Sequence, residues 1–164
     1  MSSPPRRDPV QPADDQARAL ARQLLAGATF CALAVSEADG HPFVSRIALG
    51  QDAAGLPLSL VSGLSLHTRA LRANPACCLL VGEPGPRGDP LTHPRLSLRA
   101  QAEFIDPAGP EHAAMRAAWL ARTPKATVYA NLPDFTFARF RPVSAALNGG
   151  FARAFLLTEA DLGP

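Results

Sequence analysis

The residues best suited to chemistry lie between Ser59 and Pro75, where an apolar run (Leu58, Leu60, Val61) gives way to Ser62-Gly63-Leu64-Ser65-Leu66-His67-Thr68-Arg69. The run reads as a strand, Gly63 as part of a turn, and the residues after the turn as a short helix that Asn74-Pro75 must stop. Ser62, Ser65, His67, Thr68 and Arg69 then crowd a strand exit and a first helical turn. Unpaired backbone N–H groups and the positive end of the helix dipole favour an anion there. Hydroxyls, an imidazole and a guanidinium at such a place suggest a phosphate cradle; a Ser/Thr-capped helix with one solvated Arg is the competing reading. Arg46 is a second candidate wall. It interrupts an apolar strand (Phe43, Val44, Ile47, Ala48, Leu49), where a charge needs either the wet face or a partner. A guanidinium takes phosphate in a forked, permanently charged geometry. Arg95 and Arg99 share the polar face of a later strand and either line the same ligand or are ordinary surface charges.

No other constellation stands out. The chain has no Ser-His-Asp signature, no metal-spaced His or Cys set and no glycine-rich nucleotide fingerprint. His41 falls at a hairpin, His93 in a Pro-rich loop and His112 on the polar side of a helix, and all three read as solvated. Cys31 and the adjacent Cys77 and Cys78 read as small apolar strand residues, and an odd count argues against a secreted disulfide framework. No apolar run approaches membrane-spanning length, and the Pro- and Arg-rich N-terminus lacks a signal-peptide core. A cytoplasmic protein that engages no membrane is expected. The net charge of +2 is too small to point to nucleic acid. Lys125 is the only lysine, so the arginines, with abundant Ala, read as a bacterial type of compositional bias.

The elements that must position these residues can be read from periodicity. Residues 1–12 are expected to be disordered, 13–157 to form one domain and 158–164 a tail. A helix should start near Asp14, bury Leu20, Leu24 and Leu25, and stop at Gly27. Strands are expected over 29–36, 42–49 and 56–61, separated by turns at 37–40 and 52–55. After the helix of the opening motif come strands over 76–82 and 95–104, with a loop of several prolines and glycines between them. The second of these strands alternates cleanly: Leu96, Leu98, Ala100, Ala102 and Phe104 on one face, Arg95, Ser97, Arg99, Gln101 and Glu103 on the other. Helices over 106–122, with Met115 and Trp119 inward, and over 123–131 precede two strands over 135–141 and 144–148. Hairpin-linked strands with helices inserted at two points imply an antiparallel barrel with flanking helices.

The order of motifs resembles a known family. Phe30-Cys31-Ala32-Leu33-Ala34-Val35, Asp39-Gly40-His41-Pro42 and Val44-Ser45-Arg46-Ile47 come first. Leu58 to Ser62, His67-Thr68-Arg69-Ala70-Leu71-Arg72-Ala73-Asn74-Pro75 and Pro94-Arg95-Leu96-Ser97-Leu98 come next, then Asp134-Phe135 and Gly149-Gly150-Phe151. The chain is similar over roughly 17–154 to the pyridoxamine 5′-phosphate oxidase-like split-barrel flavoproteins, most of all the HugZ-like haem-utilisation branch. The resemblance implies a mainly β, six- to seven-stranded antiparallel Greek-key split barrel with flanking helices, and a homodimer with FMN at the subunit interface. It implies that Arg46 meets the FMN phosphate and that Ile47 and Ala48 present backbone near the flavin ring. Ser62, His67, Thr68 and Arg69 complete the phosphate and ribityl site, with His67 where many relatives have Lys. Arg95 falls where vitamin oxidases use a Gln near the ring, and would tune the reduced flavin. Vitamin oxidases carry a C-terminal Arg-x-His element and haem-degrading relatives a C-terminal extension with haem-ligating His, whereas here no His follows His112. The implied activity is flavin-dependent oxidoreduction of an unidentified small molecule, the alternative a non-catalytic flavin- or haem-binding protein.

Overall fold

The computed structural model describes residues 10–150 and 153–163. Nine strands and four helices succeed one another along it. The strands are β1 (Val10–Pro12), β2 (Phe30–Ser36), β3 (Pro42–Ala48), β4 (Gly50–Gln51), β5 (Pro57–Ser62), β6 (Ala76–Val81), β7 (Arg95–Phe104), β8 (Phe135–Asn148) and β9 (Ala154–Thr158). The helices are α1 (Asp15–Gly27), α2 (Leu66–Ala73), α3 (His112–Arg122) and α4 (Glu159–Leu162).

The sheet runs β1-β9-β8-β7-β6-β2-β3, with β5 paired to β8 and β4 to β5. Strand β8 organises it. Along one edge it pairs with β7, while its other edge pairs first with β5 (Phe135 to Arg139) and then with β9 (Ser144 to Asn148). The sheet thus divides into two sectors that share β7–β8, a split barrel as expected. It is not closed by hydrogen bonds: β3 ends the strand order, and β5 lies against it without pairing. The nine strands exceed the six or seven expected because β1 and the two-residue β4 were not anticipated and β9 follows β8. The β1–β9 pairing is parallel and all others are antiparallel.

Local chemistry explains the element ends. Asp14 caps α1 by accepting the Ala17 N–H at 2.7 Å, and the face so directed buries Ala17, Ala21 and Leu25. The strands expected over 135–141 and 144–148 are one continuous β8; Pro142 is accommodated at the register shift opposite Arg99 and Ala100. Helix α3 starts at His112, not at Asp106, because Asp106 instead closes a turn onto Ala108 and Gly109, and Pro110 comes directly after it. The expected helix over 123–131 is a 3₁₀ turn over Pro124–Val128. Val10–Pro12, expected in the disordered segment, form the edge strand β1, and residues 1–9 lie outside the described residues. The expected tail contains α4, whose Leu162 is buried and whose Asp161 accepts from Arg18 Nε at 2.6 Å.

Two apolar clusters result. One fills the barrel beneath α1 and α2 around Leu33, Leu79, Leu98 and Phe140. The other packs α3 onto β5 and β8 through Met115, Trp119, Leu58 and Phe137, with the Trp119 and Phe137 rings edge-to-face at 5.8 Å.

Candidate functional site

The residues expected to form the cradle lie where α2 meets β3 and β5. Strand β5 ends at Ser62, and the Gly63 N–H donates to the Asp134 carbonyl at 2.6 Å while Ser62 Oγ donates to Asp134 Oδ2 at 2.5 Å. The Leu64 N–H in turn donates to Ser62 Oγ at 3.2 Å. Ser62 is thereby committed to fixing the turn. Its partner Asp134 precedes Phe135, the first residue of β8, so the strand exit is held by the chain that begins β8.

From that turn α2 starts at Leu66, with Ser65 at the cap position making no side-chain cap bond. The first-turn N–H groups therefore lack a Ser65 cap. Thr68 is fully buried and its Oγ1 has no hydrogen-bond partner among the described residues. Arg69 is exposed and makes no ion pair among the described residues. His67 is half-buried, and its Nδ1 is hydrogen-bonded to Ser45 Oγ at 3.0 Å. Burial holds this imidazole below its ordinary range.

Ser45 and Arg46 are consecutive in β3, so their side chains leave opposite faces of the strand. Ser45 turns toward α2; Arg46 is exposed on the other side, with Cζ 5.1 Å from the centre of the Phe30 ring. Like Arg69, Arg46 makes no ion pair among the described residues. Of the expected residues, His67 is thus brought against β3 through Ser45, whereas Arg46 leaves the other face of that strand and Arg69 is exposed two residues further along α2. Ile47 points into the core and only its backbone is at the edge; the Ala48 carbonyl accepts Ser59 Oγ at 2.7 Å.

Arg95 is placed elsewhere. It opens β7, and strands β6 and β2 separate β7 from β3. That is about 14 Å in strand spacings. Its Nη1 donates to the Leu91 carbonyl at 2.9 Å, so it closes the Pro-rich loop over 83–94. Register nonetheless puts it on the face that carries Arg46, since Arg46, Ala32, Leu80 and Ser97 align across four strands and Arg95 lies two residues from Ser97. Ser45 and Asp134 were not identified as site residues from sequence. Both lay within recognised motifs, Val44-Ser45-Arg46-Ile47 and Asp134-Phe135.

Comparison with known proteins gives this arrangement its context. Residues 17–148 match the family described as pyridoxamine 5′-phosphate oxidase, which spans most of the chain and every element from α1 to β8. The chain belongs to the pyridoxamine 5′-phosphate oxidase family. The chain is 35% identical over 118 residues to a chloroplastic non-canonical haem oxygenase, HOZ, of Arabidopsis thaliana. That match covers 72% of this chain and 35% of HOZ, so the chain spans about a third of that relative's length. One solved structure, 46% identical, superposes with a TM-score of 0.84 over 94% of this chain and 99% of that chain. A haem-binding protein from Mycobacterium smegmatis superposes with a TM-score of 0.81 at 28% identity, over 92% of this chain and 61% of that chain. The haem-related branch noted from sequence is the one these similarities fall on.

Proposed function

We propose that this chain is an FMN-binding homodimer that carries out flavin-dependent oxidoreduction of a small molecule. The observation that carries the reading is a pair of exposed arginines without ion pairs among the described residues: Arg69, two residues past His67 on α2, and Arg46, next to Ser45 on the edge strand but on its other face. Two permanent cations, an imidazole and uncapped first-turn N–H groups form a donor set with the chemistry of a phosphate monoester site. FMN, when bound, supplies the hydride or electron transfer. In this reading Arg46 and Arg69 neutralise the phosphate, His67 donates from its free nitrogen, and the Ile47 and Ala48 backbone borders the ring. Thr68 Oγ1 supports a ribityl contact only if the first turn of α2 opens, since it is fully buried.

A dimer is supported by the outer sheet face. Val44 and Leu80 lie on it 60% and 44% exposed, alongside Arg46, Arg99 and Arg95. Apolar side chains in that setting favour burial against a second copy. Among the described residues no helix is long and apolar enough to cross a membrane, which is compatible with the proposed cytoplasmic location.

The second reading is a haem-binding protein, favoured by the names of HOZ and the Mycobacterium smegmatis protein. The same arginines would then meet carboxylates in place of a phosphate. Visible spectra after separate addition of FMN and haemin, each with a desalting step, distinguish the two. A retained flavin envelope supports the first reading. A retained Soret band without flavin uptake overturns it in favour of the second.

A further inference from the structure

At the Pro57 end of β5, opposite the end that carries Ser62, the turn over 52–55 and helix α3 enclose a cavity of about 350 Å³. Its walls are Ala53 and Ala54 on one side and Ala114, Met115 and Ala118 on the other. That is within the size range and apolar character of a small-molecule site. The floor is Arg139, a guanidinium in the middle of β8 whose side chain is only 10% exposed. Arg139 Nε donates to Asp52 Oδ2 and Nη2 to Glu111 Oε2, both at 2.6 Å. Asp52 is spent: Oδ1 accepts the Ala54 and Leu56 N–H groups, and its side chain is 6% exposed. Glu111 differs. It is half-exposed at the rim, and among the described residues its Oε1 has no hydrogen bond.

The charges at the floor do not balance. Among the lining residues two carboxylates (Asp52, Glu111) face one guanidinium (Arg139), leaving one net negative charge. An anion entering would have to displace Glu111 from Arg139, whose Nε is already taken by Asp52. A cation meets a carboxylate already oriented by Arg139 and brings the cluster to neutrality, which is the cheaper arrangement in a partly desolvated site.

We propose that this cavity is a binding site for a small organic ammonium ion with an apolar body. Its nitrogen donates to Glu111, Arg139 holds that carboxylate in place, and the body lies between Ala54 and the Ala114–Met115–Ala118 face of α3. The inference does not depend on the flavin reading.

The test is calorimetric titration of the full chain at pH 7 with phenethylamine, 2-phenylethanol and 3-phenylpropanoate, which are near-isosteric and differ in charge. The amine is expected to bind, with the alcohol and the acid at least about tenfold weaker. Glu111→Gln should lower amine affinity at least about tenfold, and Ala118→Trp, which fills the cavity from an exposed position, should abolish binding. Thermal melts report whether each variant folds; should Glu111→Gln not fold, Ala118→Trp decides. Absence of amine binding up to about 10 mM, equal binding of the three probes, or undiminished binding to the cavity-filled variant overturns the proposal.

Discussion

Ser45 Oγ and His67 Nδ1 are 3.0 Å apart, so the first turn of α2 is tied to the edge strand β3 through a group that titrates. Burial lowers the His67 pKa from its ordinary 6.5. Between the two values the unfolded chain binds more protons than the folded one. Stability from the neutral ring is therefore present above about 6.5 and is lost as pH falls through the lower folded value. Thermal melts of the free protein are expected to show this loss on acidification, and His67→Gln to remove it.

Bound phosphate reverses the preference, because it favours the imidazolium that can donate from both nitrogens. FMN affinity should weaken as pH rises through the His67 titration, and the slope should vanish in His67→Gln. Fluorescence titrations of FMN at several pH values measure it. A flat profile in the wild type contradicts a contact between His67 and the phosphate.

Arg139 and Asp52 form a second, more deeply buried relationship. Desolvation lowers the Arg139 pKa, but its hydrogen bonds to Glu111 and Asp52, with their negative charges, outweigh it and the net shift is upward. Arg139→Met leaves Asp52 charged, buried and without its partner, and should cost about 3–5 kcal/mol in urea unfolding. The double variant with Asp52→Asn should recover most of that loss, since the Asn oxygen still accepts the turn N–H groups. A single variant within about 1 kcal/mol of wild type would show that the pair is not structural.

Two glycines separate backbone conformation from space. Gly40 (φ +88) and Gly82 (φ +100) both occupy the left-handed side of the map, but nothing lies within 4 Å of a Cβ at Gly40. At Gly82 a Cβ would be 2.4 Å from the Pro94 carbonyl oxygen. Gly40→Ala should therefore lose about 1 kcal/mol, the conformational term alone. Gly82→Ala should lose clearly more, about 2–4 kcal/mol, because backbone must also shift. Equal losses in thermal unfolding would contradict the close approach of Pro94.

Much of this was legible in the sequence for identifiable reasons. Strand β7 tracks the alternation of Leu96, Leu98 and Ala100 residue by residue, because a period of two has no helical competitor. The placing of His67 and Arg69 at the start of a helix after β5 came from the strand–turn–helix order, which is local. The illegible part is non-local. Arg95 shares a face with Arg46 but is bound to the loop over 83–94, and only the strand order places it three strands away. Ser62 looked like a ligand hydroxyl, yet Asp134, 72 residues later, claims it. The Asp52–Arg139–Glu111 cluster joins a turn, a strand and a helix start with no shared motif, so no spacing rule could announce it.

The central claim is that Arg46 and Arg69 hold the phosphate of FMN. Flavin fluorescence quenching during titration of wild type, Arg46→Ala and Arg69→Ala, with thermal melts as a folding control, tests it most directly. Wild type is expected to bind, and each variant to lose about 1.5–3 kcal/mol of FMN affinity while its unfolding temperature stays near wild type. FMN affinity unchanged in both variants would contradict the account.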